Sequence, residues 1–249
     1  MIDTHAHLFL SDDPPEALIS RAQVAGVTAI VNVAIDLKTS SQSIAWAHAH
    51  SMLRATAGIH PCEPVVPDSW SEQLGVLLQD QQVVAVGETG LDLVRSEVPL
   101  STQLARLTVH FEWAERMGLP VILHCRGAAD AFVPVIQAWP HVVKIFHCFS
   151  ESQAFIEAVD SPTTYYSFTG NITYPSSEPS RAAVKFLPLS KIMLETDMPY
   201  LVPLRYKGRP NQSAYMGEVA AAVATLKGVG VDTVVAATTQ LANRLYVRS

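Results

Sequence analysis

The residues best suited to chemistry in this chain are histidines and carboxylates at the ends of short apolar runs. His5-Ala6-His7 closes the first run, His60 follows AGI, His124 closes VILH and His147 closes VKIFH. Glu88 lies between glycines in VVAVGETGLD, and Asp197 follows IMLET. Imidazole nitrogens and carboxylate oxygens are donor atoms for Zn2+ and other first-row divalent ions. At a strand end, residues i and i+2 point the same way, so His5 and His7 can reach one cation. His48-Ala49-His50 is an internal control, because in a helix two residues span about 200° and the rings diverge. An H-x-H pair alone is weak evidence for a metal. Preceded by Asp3 and joined by histidines on further strands, it becomes a candidate metal site made of His5, His7, Glu88, His124, His147 and Asp197.

Each of these residues has a chemical role open to it. Glu88 can bridge two cations with one oxygen to each. Asp197 can bind through one oxygen and take a proton from bound water through the other. Glu195, two residues earlier, is expected to point inward or to pair structurally. Arg126 should share a face with His124, where a guanidinium suits bidentate phosphate binding. His60 is a candidate substrate contact, with Pro61 fixing a turn after it. His110 and His141 read as structural. Cys125 and Cys148 should point toward packing, since strand neighbours alternate faces.

Positioning these groups requires a repeating scaffold. Apolar, β-branched runs at 2–5, 29–34, 53–59, 83–87, 121–125, 142–147, 164–168 and 192–195 have the pattern of strands buried on both faces. Segments 15–25, 39–51, 70–80, 101–117, 129–138, 151–159, 180–187 and 213–226 carry apolar residues at helical spacing. A last helix is expected over 232–247. Ser101 and Ser180 sit where N-caps would. Eight strand–helix units in 249 residues predict a (β/α)8 TIM barrel with an extra C-terminal helix, over an open doubly wound sheet. Five of the nine histidines fall at strand ends, where chance would place about one. Only a closed barrel brings the ends of the first and eighth strands over one mouth.

Composition narrows the class. About half of the residues are hydrophobic and 16% are charged, below the roughly 25% usual for soluble domains, so a large core and a single domain over 1–249 are expected. A net charge of −6 argues against a broad basic surface but not against a cleft made positive by metal. Cys62, Cys125 and Cys148 are too few and scattered for a disulfide framework, and a cytoplasmic location is expected. The opening MIDTHAHLFLSDD lacks the positive start of a secretory signal. No apolar run approaches the roughly 18 residues of a membrane span.

DTHAHL, GIHP, GETGLD, LPVILHCR, HCFS, ETDMPYL and TTQLANRLY occur in that order. Together they resemble the TatD family of metal-dependent hydrolases, within the amidohydrolase superfamily. The resemblance implies a TIM barrel with one or two divalent cations, Mg2+, Zn2+ or Mn2+. It also implies phosphodiester hydrolysis, commonly by a deoxyribonuclease working from DNA ends. His5, His7, Glu88, His124, His147 and Asp197 match the family's metal ligands, and Arg126 matches the arginine of its His-x-Arg motif. The chain departs from the pattern at Leu93 and Val94, where aromatic residues usually follow GLD. It also departs in Lys207–Ser213, which loses an acid and a proline, and at His110, which stands for a glutamine. These departures bear on substrate rather than metal, since aromatic stacking commonly holds single-stranded bases.

The expectation is therefore a metal-dependent exonuclease with Asp197 and Glu88 as catalytic groups and Arg126, His60 and Arg209 as substrate contacts. Its partner would be single-stranded or end-bound DNA, and it would act as a monomer or small homo-oligomer. The alternatives are a related hydrolase of an amide, lactone or small phosphoester, and a non-catalytic module whose metals are structural.

Overall fold

A computed structural model describes residues 1–246. Its strands are β1 (Ile2–Ala6), β2 (Ala29–Asn32), β3 (Leu53–Ala57), β4 (Val83–Asp92), β5 (Val121–Arg126), β6 (Lys144–Phe146), β7 (Thr164–Phe168) and β8 (Ile192–Leu194). The intervening helices are α1 (Pro15–Val24), α2 (Leu37–Ala49), α3 (Trp70–Leu77), α4 (Leu100–Met117), α5 (Ala129–Ala138), α6 (Gln153–Val159), α7 (Glu178–Phe186) and α8 (Met216–Lys227). A ninth helix, α9 (Val231–Leu245), follows. The strands form one eight-stranded sheet in chain order, and the resolved pairings run parallel. Ala6 at the end of β1 bridges Met198, just beyond β8. This is the (β/α)8 TIM-barrel fold with an extra C-terminal helix. Among the described residues no single helix is long and apolar enough to cross a membrane.

Contacts divide the chain into two compact units. One contains Met1–Asn32, Cys148–Ile156 and Tyr166–Leu245, and so carries β1, β2, β8, α1, α7, α8 and α9. The other contains Val33–His147 and Glu157–Tyr165, and carries β3 to β6 and α2 to α5.

Most predicted elements are present, with shifted ends. α2 starts at Leu37 rather than Thr39 because Asp36 and Thr39 form a capping box. The Thr39 amide donates to Asp36 Oδ1 at 2.6 Å, and the Asp36 amide donates to Thr39 Oγ1 at 3.0 Å, which places Thr39 inside the first turn. Neither Ser101 nor Ser180 is an N-cap. Pro99 precedes α4 and Ser177 precedes α7, with a proline in the opening turn of α7. Proline's fixed φ and missing N–H favour those starts. Ser180 is instead buried and accepts from Asn171 Nδ2 at 3.4 Å. The last residue of the predicted helix 232–247 lies outside the described residues.

The largest difference is in β4. The expected strand ends at Gly87, but the observed one continues to Asp92 with all ten residues buried. Beyond a register shift between Val86 and Thr89, it pairs Gly90 with His124 and Asp92 with Arg126. Glu88 therefore sits at an irregularity inside the strand rather than after it. Gly90, at φ +148°, makes the pairing possible, because a Cβ there would lie 2.0 Å from the His124 carbonyl oxygen. An irregular register redirects side chains without ending the strand.

His110 shows how the helices support the strand ends. It is buried in α4 and ring-stacked on Trp70 at 5.4 Å. Its Nδ1 donates to the Arg106 carbonyl at 2.7 Å, so Nε2 is free to accept from the Ile59 amide at 3.0 Å. The expected structural role is thus a specific one: His110 tethers the backbone next to His60. Burial lowers its pKa from 6.5 to about 4. Between those values the unfolded chain takes up a proton that the folded protein refuses. Stability should therefore fall as pH drops from 6.5 to 4, by up to about 3 kcal/mol. His110→Gln offers an amide oxygen to Ile59 without titrating. Urea unfolding at pH 4.5 and pH 7 should show a smaller pH dependence in this variant than in the wild type.

Candidate metal centre

The first unit brings together His5, His7 and Asp197. His5 lies in β1 and His7 directly follows it, and their Nε2 atoms stand 3.2 Å apart with the rings edge to face. Asp197 Oδ1 lies 3.3 Å from His7 Nε2 and 3.7 Å from His5 Nε2. The Asp197 amide donates to the His5 carbonyl at 2.8 Å, and its backbone is left-handed at φ +57°, a region aspartate tolerates better than most residues. The control pair behaves as its spacing requires: His48, on α2, meets Asp80 at 2.9 Å, while His50 is that helix's C-cap.

Buried hydrogen bonds hold this group. Asp3 accepts from the Thr196 amide at 2.9 Å, Thr196 Oγ1 at 2.6 Å and Ser213 Oγ at 2.6 Å. Burial raises its pKa to about 6 even though these donors favour the charged form. Ser213 thus contributes a bond to Asp3. Buried Asn211 spans the segment after β8, donating to the Thr196 carbonyl at 2.8 Å and the Tyr200 carbonyl at 2.7 Å. Glu195 accepts from the Cys148 amide at 2.6 Å.

The second unit gathers Glu88, His124, His147 and His60. Glu88 Oε1 lies 2.9 Å from His147 Nε2, 3.0 Å from His124 Nδ1 and 3.5 Å from His60 Nε2. His124 Nδ1 is also 3.2 Å from His147 Nε2. His60, read from sequence as a substrate contact, therefore stands among the ligand candidates. Burial alone would raise the Glu88 pKa, but the surrounding histidines, His147 first, hold it well below the usual carboxylate range. For His124, burial works to lower the pKa, and hydrogen bonds to Asp92 and Glu88 outweigh it and raise the pKa.

Arg126 ends β5, half-buried, and its carbonyl accepts from Leu93 at 2.9 Å. Arg209 is exposed, with its amide on the Tyr206 carbonyl at 3.0 Å. Neither is drawn into a ligand group. The residue whose role sequence reasoning missed is Asp92, buried, with Oδ2 3.0 Å from His124 Nε2. The signal was its spacing: positions 88, 90 and 92 nominally share a face, and Gly90 supplies no side chain between the two acids.

The donor set fits a divalent cation. Ligands bonded at about 2.0–2.2 Å lie roughly 2.8–3.6 Å apart at octahedral or tetrahedral angles, and nearly all of the spacings above fall in that range.

Comparison with known proteins agrees with this chemistry. Residues 2–247 match the family model described as TatD related DNase. The chain belongs to the TatD family. One relative, from Bacillus subtilis, is the metal-dependent hydrolase YabD, 30% identical over 99% of this chain and 98% of its own length. Another is the 3'-5' ssDNA/RNA exonuclease TatD of Klebsiella pneumoniae, 31% identical over 86% of this chain and 84% of that protein. The crystal structure of YjjV, a TatD homologue from Escherichia coli, superposes with a TM-score of 0.91 at 31% identity, covering 99% of this chain and 97% of that one. As a TatD-family member the chain is a metal-dependent hydrolase.

Metal must displace protons from such a site. Because the hydrogen bonds to Asp92 and Glu88 raise the His124 pKa, protons compete more strongly for this site and affinity should weaken as pH falls. Calorimetric titration with Zn2+ should show tighter binding at pH 8 than at pH 6, with proton release that varies with the buffer's ionisation enthalpy.

Proposed function

We propose that this TatD-family hydrolase cleaves phosphodiesters at the ends of single-stranded nucleic acid, DNA above all. His5, His7 and Asp197 in the first unit, and Glu88, His124 and His147 in the second, would be the ligands for divalent cations, one or two per chain. The observation that carries the reading is the gathering of three imidazoles around Glu88 Oε1, at 2.9 to 3.5 Å. The naming of the Klebsiella relative as an ssDNA/RNA exonuclease supports the substrate class. Bound metal supplies a polarised phosphoryl oxygen and a water of lowered pKa.

The chain's own groups do the rest. Asp197 orients the attacking water and takes its proton. Glu88 fixes the spacing of the imidazoles around it. Arg126 at the end of β5 offers a planar fork to the phosphate, and Arg209 with Lys207 adds positive charge along the exposed segment after β8. Leu93 and Val94 are exposed, so the rim after β4 meets the substrate with aliphatic side chains.

Elemental analysis of purified protein should find divalent metal. Chelation should abolish nucleotide release from single-stranded oligonucleotides, and metal should restore it. His124→Ala and Asp197→Asn should each lose activity or metal by orders of magnitude. Arg126→Ala should mainly raise KM. Full metal-dependent turnover in His124→Ala and Asp197→Asn would refute the site. Hydrolysis of cyclic amides without nucleotide release would refute the substrate class.

A further inference from the structure

The segment between Asp197 and α8 differs in charge from the chain as a whole. Residues 199–209 hold three of the seventeen Lys and Arg residues, Arg205, Lys207 and Arg209, and no Asp or Glu, in a protein of net charge −6. On the same segment Tyr200 is 55% exposed and Leu204 43%. Surface loops are usually mobile, but this one is anchored along its length. The Tyr200 amide donates to the Asp197 carbonyl at 2.9 Å, and the Tyr200 carbonyl accepts from Asn211 Nδ2 at 2.7 Å. Tyr174 Oη donates to the Val202 carbonyl at 3.1 Å, and the Leu204 amide donates to Thr173 Oγ1 at 2.8 Å. Tyr206 lies flat on Tyr215, with 3.7 Å between ring centroids and 7° between planes. Arg205 pairs with Glu218 at 2.8 Å. None of these anchors uses the side chains of Tyr200, Leu204, Lys207 or Arg209.

An exposed ring on a fixed backbone has little freedom to lose on binding. A partner that fits such a surface carries negative charge and flat apolar faces together. Single-stranded nucleic acid has both, since cations follow its phosphates and rings stack on its bases. Resting on the phosphodiester reading above, we infer that residues 199–209 form a strand-holding surface separate from the reacting phosphate. Tyr200 stacks a base there, Leu204 widens the apolar face, and Lys207 and Arg209 neutralise phosphates of nucleotides beyond the scissile bond. Asp197 joins the two functions, with its carboxylate beside His5 and His7 and its carbonyl holding the first residue of the surface.

Two measurements test this. The first compares kcat/KM for a long single-stranded oligodeoxynucleotide with kcat/KM for methyl p-nitrophenyl phosphate, a diester with one phosphate and no base. Tyr200→Ala should lower the ratio of the two about 5- to 100-fold, chiefly through KM for the oligonucleotide, and Tyr200→Phe should restore it. The second is fluorescence anisotropy of a labelled oligonucleotide, with EDTA present to block cleavage. Replacing Lys207 and Arg209 together by Ala should flatten the slope of log affinity against log salt by about 1.4, two phosphates at about 0.7 each. Inorganic polyphosphate, which has the charge without the bases, should compete poorly with the oligonucleotide. An unchanged ratio in Tyr200→Ala, an unchanged salt slope, or polyphosphate competing as well as the oligonucleotide would each overturn the surface while leaving phosphodiester cleavage standing. Failure of the metal-loaded wild type to cleave any oligonucleotide would overturn the phosphodiester reading itself. If Tyr200→Ala does not fold, the salt slope and the polyphosphate competition still decide.

Discussion

Burying several imidazoles against one carboxylate oxygen is tolerable only if positive charge fills the space between them. Unpaired lone pairs facing one another in a dry interior would cost several kcal/mol. Glu88 with His124, His147 and His60 is such an arrangement, and so on a smaller scale is Asp197 with His5 and His7. Divalent cations bound at such groups would meet it.

Meeting that requirement depends on backbone features that do no chemistry themselves. β4 runs past its expected end, shifts register around Glu88, and pairs Gly90 with His124. The extension carries Asp92 into reach of the same histidine. His110 on α4 secures Ile59, the neighbour of His60. Asn211 spans the segment that follows Asp197.

Much of this was legible in the chain itself. The alternation of apolar runs and helical segments implied the (β/α)8 fold; His5 and His7 stand together as their spacing suggested, and Asp197 lies beside His7. What remained hidden was governed by long-range contacts. The end of β4 depended on its pairing with β5, which no local pattern reports. Apolar periodicity does not mark the capping box of Asp36 and Thr39, and proline starts overrode the serines at 101 and 180. Asp92 went without a role because its partner is thirty-two residues away. His60 was visible as chemistry, but its place beside Glu88 was not.

Gly90 carries a wider lesson about reading substitution patterns. It has no group that could react, yet even a methyl would collide with the backbone of a ligand-bearing strand. A mutational scan scored only by turnover would rank it with the histidines and acids. Scored by protein abundance, it should separate from them, because its loss disturbs the pairing of two strands. Such paired readouts distinguish residues that perform a reaction from residues that make room for it.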